Sequence, residues 1–128
     1  MAVDFILPDT NVLILALSKK EPYASLISQL IESNKLVLSS IVVAEFLVGV
    51  DDEEEKIFNL LLNRFQVLSV DLAVAQIGAF YRKKYLKSGY KLKLPDCLIA
   101  ATCKVHQVKL ATLNKKDYPM VDIQFQVW

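Results

Sequence analysis

The sequence predicts an α/β fold, in which a mostly parallel sheet of about five strands is covered by helices on both faces. Short β-branched runs alternate with helical stretches along the 128 residues. Parallel strands need long crossover connections, and helices fill most of the intervals between the predicted strands. Because no internal repeat, linker or low-complexity segment interrupts this alternation, residues 1–128 are expected to form one domain.

Five short runs, most of them rich in β-branched residues, predict the strands. They span residues 3–7, 36–38, 67–70, 108–112 and 123–127. Since helical stretches separate most of these runs, the strands are expected to pair in parallel and to be covered on both faces.

The helices of the first half begin at recognisable signals. A helical run over residues 11–17 follows the first strand directly. Pro22 is expected in the first turn of a second helix that reaches Glu32, because proline is well tolerated there. Ser39 and Ser40 are good N-caps for a short third helix that ends at Val48.

The remaining helices are predicted in the same way. Acidic residues over positions 51–55 begin a fourth helix that ends near Phe65, because negative charge is favourable at a helix N-terminus. Asp71 caps a long fifth helix, which Gly89 terminates. Pro95 opens a sixth helix, which extends to about Val105.

Composition indicates a folded protein without a strong global charge. Hydrophobic residues make up 54% of the chain and charged residues 23%, which excludes extensive disorder. Fifteen Lys and Arg face fourteen Asp and Glu, so the formal charge is +1. Any nucleic-acid-binding surface must therefore be local rather than global.

The two cysteines and the N-terminal segment favour a cytoplasmic protein. Cys97 and Cys103 lie six residues apart on one predicted helix, which turns their side chains away from each other and predicts free thiols. We find no signal-peptide pattern and no apolar run near the roughly 20 residues that span a bilayer, so neither secretion nor membrane insertion is expected.

Four segments each place a polar, mostly acidic residue beside an apolar element. Asp9 directly follows the first strand, at the carboxyl end where open α/β sheets bind ligands. The alternative is that Asp9, Thr10 or Asn11 only caps the next helix. Asn114 follows the fourth strand in the same way, with Asp117 close behind, although both could belong to a surface turn.

The other two acidic residues lie on predicted helices. Glu45 is surrounded by apolar residues over positions 41–48, in a helix expected to pack on the sheet, although an exposed stripe is the alternative. Asp96 follows Pro95 in the first turn of its helix, where the helix dipole alone could explain it. Because buried unpaired charges are costly, clustered carboxylates of this kind indicate a divalent metal ion.

Together, the four segments resemble the ordered motifs of the PIN-domain family, especially the VapC toxins. The motifs are Asp9-Thr10-Asn11, Glu45 within its apolar helix, Leu94-Pro95-Asp96, and residues 112–118. The resemblance implies a three-layer α/β/α sandwich, Mg²⁺ or Mn²⁺ as cofactor, and endonucleolytic cleavage of RNA. It also implies a companion antitoxin protein and a homodimer.

Carried over residue by residue, the first three acids of the family fall on Asp9, Glu45 and Asp96. The fourth falls on Asn114, where many members have Asp, and Asp117 is the other acid of that motif. Asp9 and Asp96 are expected to bind the metal directly, because Mg²⁺ takes one or two carboxylates and retains several waters. Glu45, with Asp117 or Asn114, would orient water or complete a second site.

Substrate contacts are expected from Thr10 and Asn11 and from a basic segment over residues 81–93 that leads into Asp96. The cations of this segment that we expect to contact phosphate are Arg82, Lys83, Lys84 and Lys91. Phosphate contacts supply affinity that does not depend on base sequence. A solvated helix end, with cations placed favourably at its C-terminus, is the alternative explanation of this segment.

Other function classes fit less well. A haloacid-type phosphatase would need a second Asp where Asn11 stands, and the three glycines do not form a phosphate-binding loop. The single histidine, His106, leaves little for a Ser-His-Asp or Cys-His mechanism. The open alternative is a non-catalytic PIN-like module that binds RNA or protein and has lost turnover through Asn114.

Overall fold

Short strands and longer helices alternate in the computed structural model, which describes residues 4–128. Val3, the first residue of the first predicted strand, lies outside the described residues. The strands are β1 (Ile6–Pro8), β2 (Leu38–Ser39), β3 (Val67–Leu68), β4 (Lys109–Ala111) and β5 (Gln124–Phe125). The helices are α1 (Thr10–Leu17), α2 (Tyr23–Glu32), α3 (Ser40–Gly49), α4 (Asp52–Arg64), α5 (Leu72–Lys87) and α6 (Leu94–His106).

All strand pairs are parallel, as the alternation of strands and helices predicts. β4 lies between β1 and β5, while β2 pairs with β3. An isolated parallel bridge between Ile6 and Leu36 connects the two groups of strands. The five predicted strands are thus present, each shorter than predicted, in an α/β/α arrangement. Because β1 has β4 on one side and the segment leading into β2 on the other, the strand order reverses at β1, where such sheets bind ligands.

Side-chain caps start α3, α4 and α5 at the predicted positions. The Ser39 hydroxyl accepts a hydrogen bond from the backbone N–H of Ile41 at the start of α3. Asp51 and Asp71 cap α4 and α5 through carboxylate oxygens that accept from N–H groups three residues further on. Gly89 follows the end of α5 with φ of +88°, a conformation that a residue without Cβ adopts at no steric cost. Pro22 differs slightly from prediction, since it immediately precedes α2.

The core is apolar and includes both cysteines. Phe46 of α3 and Phe58 of α4 are fully buried, with ring centroids 4.2 Å apart. Cys97 and Cys103 are both free and buried, as predicted. Burial raises the pKa of the Cys103 thiol to about 12, so this thiol stays protonated and is a poor nucleophile. Within residues 4–128, no helix combines the length and apolarity needed to cross a membrane.

Candidate active site

Asp9 lies at the carboxyl end of β1, where several donors hold its carboxylate. Its side chain is only 8% exposed. Oδ1 accepts a hydrogen bond of 2.7 Å from the backbone N–H of Thr10, so Asp9 does cap α1, as the alternative interpretation of the sequence allows. Oδ2 accepts a 3.0 Å hydrogen bond from the Thr112 hydroxyl. Because Pro8 pairs with Ala111 in the sheet, the residues that follow them lie side by side.

The Tyr118 hydroxyl connects Asp9 with Asp96. It donates to Oδ2 of Asp9 at 3.0 Å and lies 3.4 Å from Oδ1 of Asp96. The sequence pattern does not select Tyr118 as a site residue, although it closes the motif that contains Asn114 and Asp117. Burial, reinforced by the two carboxylates, raises the pKa of Tyr118, so the hydroxyl remains a neutral donor.

Glu45 reaches the same site from α3, but its setting differs from the prediction. The sequence predicts a glutamate among apolar side chains on a helix that packs on the sheet, with an exposed stripe of that helix as the alternative. The structure leaves this side chain exposed at the edge of the site, as the alternative has it. The apolar composition of α3 does not show which face of the helix is buried, since Val48 of the same helix is apolar and 88% exposed. Oε1 of Glu45 accepts a 2.7 Å hydrogen bond from the Thr10 hydroxyl. This hydroxyl, predicted to contact substrate, is therefore already engaged.

Polar residues from all four motifs line one pocket of about 350 Å³. Its lining consists of Asp9, Thr10, Asn11, Glu45, Lys93, Asp96, Asn114 and Asp117. The structure thus brings together residues that are up to 108 positions apart in the chain, from Asp9 to Asp117. Lys93 is the one lining residue absent from the predicted site set. Its position directly before Leu94-Pro95-Asp96 is the feature of the sequence that could have indicated a place at the site.

The pocket carries more negative charge than its neighbours neutralise. Burial, followed by the negative charges of Asp9, Glu45 and Asp117, raises the pKa of Asp96 to about 6, while Lys93 opposes this shift. Residues 4–128 contain two ion pairs, Lys104 with Asp122 and Lys109 with Asp4, and neither involves a pocket carboxylate. The carboxylates therefore repel one another in the absence of a bound cation.

This repulsion predicts how Asp96→Asn affects stability without added divalent ions. Ionising Asp96 costs more free energy in the folded than in the unfolded state. The stabilising contribution of the protonated side chain is therefore complete below pH 3.8 and is lost as the pH rises through about 6. Between pH 4 and pH 8, the unfolding free energy of the variant should rise relative to that of wild type by about 1 to 2 kcal/mol. This value is already reduced because Asp96 is partly exposed. Urea unfolding at both pH values measures this difference. A difference that does not change with pH would contradict the assignment.

The donors in the pocket fit a hard divalent cation. Four carboxylates and the Asn114 amide are oxygen ligands of the kind that Mg²⁺ and Mn²⁺ prefer. In the part of the chain that the structure describes, no three His, Cys, Asp or Glu side chains form a ready-made metal cage. Mg²⁺ does not require such a cage, because it retains several waters and takes one or two carboxylates directly. The residues present therefore fit the metal that the sequence predicts.

The basic residues predicted to bind substrate lie outside this pocket. Among the described residues, Arg82, Lys83, Lys84 and Lys91 do not contribute to its lining. The Arg82 side chain instead donates to the Leu92 carbonyl at 3.2 Å. The Lys84 ammonium lies 5.3 Å from the centroid of the Tyr85 ring. All four residues are exposed, so they can contact only the parts of a substrate that extend beyond the carboxylates.

Sequence comparison finds one matching family and a curated relative. The model of the PIN domain family matches residues 6–122. Ribonuclease VapC10 of Mycobacterium tuberculosis is 32% identical over 87 residues, which represent 68% of this chain. The match spans 65% of that relative's length, slightly less than two thirds.

Structural comparison finds the same fold in solved toxin–antitoxin complexes. A chain of a toxin–antitoxin complex from Klebsiella pneumoniae has a TM-score of 0.72 and 29% identity, covering 91% of this chain and 92% of that one. A chain of VapBC2 from Rickettsia felis, solved with a promoter DNA fragment, has a TM-score of 0.82 at 21% identity. This second match covers 97% of this chain and 98% of that one, and at that identity it supports the fold alone.

Proposed function

Because the chain belongs to the PIN domain family, we propose that it is a divalent-metal-dependent endoribonuclease and the toxin of a toxin–antitoxin pair. The observation that carries the proposal is that Asp9, Glu45, Asp96 and Asp117 line one pocket at the carboxyl end of β1. The similarity to Ribonuclease VapC10 supports RNA as the substrate. Residues 1–128 would act as a single domain.

In this proposal, Asp9 and Asp96 would hold the ion, because an oxygen of each carboxylate lies within 3.4 Å of one group, the Tyr118 hydroxyl. When bound, Mg²⁺ or Mn²⁺ lowers the pKa of a coordinated water and neutralises charge on the phosphoryl oxygens. Glu45 and Asp117 lie on the same pocket and can accept a proton from the attacking water. Asn114 and Asn11 supply amide groups that can donate hydrogen bonds to phosphate oxygens.

Partners are proposed on the same basis. The Klebsiella pneumoniae structure is a toxin–antitoxin complex, which supports an antitoxin that binds this chain. A homodimer and a cytoplasmic location remain predictions from the family resemblance and from the two free thiols.

Cleavage of a generic single-stranded RNA with Mn²⁺, and with EDTA in its place, tests this function. The wild-type protein is expected to cleave internal phosphodiester bonds with Mn²⁺ and to lose this activity in EDTA. RNA binding without cleavage at any Mn²⁺ concentration would instead support the non-catalytic module. Asn114 is the residue on which this alternative rests, because an amide replaces the carboxylate that many family members have at this position.

Lys93 is expected to contribute to RNA binding at the scissile phosphate, because it is the only lysine that lines the pocket among the described residues. Lys93→Ala should lower kcat/KM by about tenfold. It should also reduce the slope of log kcat/KM against log salt by about 0.7, the value for one phosphate contact on a single strand. A salt series with Lys87→Ala as control measures this, since Lys87 is exposed on the same basic segment but outside the pocket lining. Equal slopes for the two variants would remove Lys93 from the binding surface.

A further inference from the structure

The geometry points to Tyr118 as a positioning residue, whose hydroxyl holds the Asp9 and Asp96 carboxylates in the relative orientation that binds the divalent ion. The inference rests on the proposed function and extends it to a residue outside the four acidic positions. Tyr118 directly follows a 3-10 turn over Lys115–Asp117, so the segment that supplies Asp117 also supplies this hydroxyl.

The Tyr118 hydroxyl is buried next to two carboxylates. Its side chain is 3% exposed, and its hydroxyl donates to Oδ2 of Asp9 at 3.0 Å. The hydroxyl oxygen also lies 3.4 Å from Oδ1 of Asp96. One neutral group thus lies between two carboxylates that are 87 residues apart in the chain. One follows β1 directly, and the other lies in the first turn of α6.

Packing alone does not require this hydroxyl. A phenylalanine would fill the same core position without a polar atom, and burying a hydroxyl costs free energy unless it finds a partner. Here the partners of the Tyr118 hydroxyl are the two carboxylates proposed to bind metal. The Thr112 hydroxyl donates to the same oxygen of Asp9. Two donors on Oδ2 of Asp9 fix the plane of this carboxylate and leave fewer orientations open to it.

Fixed carboxylates matter for metal affinity. Ligating carboxylates are themselves hydrogen-bonded in metal sites, and loss of such an outer partner costs about 10- to 100-fold in metal affinity or activity. Without the hydroxyl, Asp9 and Asp96 lose their shared donor, and their mutual repulsion turns them apart. Tyr118→Phe should therefore weaken Mn²⁺ binding by about tenfold, the lower end of that range, because Thr112 still holds Asp9.

The chain contains a matched control in Tyr81. Tyr81 is 2% exposed, and its hydroxyl donates to Oδ1 of Asp122 at 2.9 Å, outside the pocket. Tyr81→Phe thus also removes a hydrogen bond from a buried tyrosine hydroxyl to a carboxylate, although Asp122 is itself exposed, and it should also lower the unfolding free energy. It should leave Mn²⁺ affinity unchanged, which separates positioning of the carboxylates from a general loss of stability.

Calorimetric titration of MnCl₂ into wild type, Tyr118→Phe and Tyr81→Phe, with urea unfolding of each, tests the inference. We expect about tenfold weaker binding for Tyr118→Phe only, and RNA cleavage by this variant that recovers as Mn²⁺ is raised. Wild-type or tighter Mn²⁺ affinity in a folded Tyr118→Phe protein would overturn the inference while leaving the proposed function intact. Absence of Mn²⁺ binding and cleavage in the wild type would overturn the proposed function and this inference with it.

Discussion

Asp96→Asn should abolish RNA cleavage while the protein remains folded. Asp96 lines the pocket, lies 3.4 Å from the hydroxyl that binds Asp9, and has no ion-pair partner within residues 4–128. Loss of an outer hydrogen-bond partner of a metal site already costs about 10- to 100-fold, so loss of a ligand charge is expected to lower kcat/KM at least about 100-fold. Steady-state cleavage with saturating Mn²⁺ measures the effect.

Asp122→Asn is the matched control for this prediction. Asp122 is also a carboxylate with a tyrosine hydroxyl as donor, but it lies outside the pocket and pairs with Lys104. Its replacement should leave kcat/KM within about twofold of wild type, since it removes only one partly exposed ion pair. Wild-type turnover by the Asp96→Asn protein would show that the carboxylates do not bind the catalytic ion.

Phe46→Ala should destabilise the fold more than any of the substitutions in the pocket. Phe46 is fully buried on α3, and its ring packs against Phe58 of α4. Truncating a buried Phe to Ala typically costs about 3 to 5 kcal/mol, from lost transfer free energy and the cavity left behind. This is a large part of the roughly 5 to 15 kcal/mol by which natural domains are stable. Urea unfolding measures the loss.

The functional consequence of Phe46→Ala follows from its neighbour in the chain. Glu45 precedes Phe46 and reaches Thr10 from the same helix, so a loosened α3 no longer holds Glu45 at the pocket. Val48→Ala, on the same helix but 88% exposed, should change unfolding free energy by less than about 0.5 kcal/mol. Equal stability of the two variants would show that the contact between the two Phe rings does not anchor α3.

The parts of the fold that depend on local signals were predictable from the sequence. Ser39, Asp51 and Asp71 cap the helices as expected, because a short polar side chain before an apolar run satisfies exposed backbone N–H groups. The parallel pairing followed from helices between strands. Strand lengths were overestimated, because apolar residues continue beyond the paired positions. Phe5 and Val127, which the prediction includes, are exposed and lie outside β1 and β5.

The features of the site that depend on tertiary contacts were less accessible. Exposure of Glu45 could not be read from an apolar helix, because apolar residues on a helix surface and apolar residues in a core have the same sequence pattern. The contact of Tyr118 with Asp9 joins residues 109 positions apart, so no local periodicity reveals it. Lys93 was grouped with other cations, since sequence order alone does not say which of them points into the pocket.

The position of a bound Mn²⁺ ion would show whether the pocket carboxylates form a metal site. We predict that anomalous diffraction from crystals grown with MnCl₂ shows a peak between the Asp9 and Asp96 carboxylates, about 2.0 to 2.4 Å from an oxygen of each. Glu45 and Asp117 should face the same peak, either directly or through water. A pocket without a peak at saturating Mn²⁺, or a peak bound elsewhere on the chain, would contradict the assignment of these four acids to the catalytic ion.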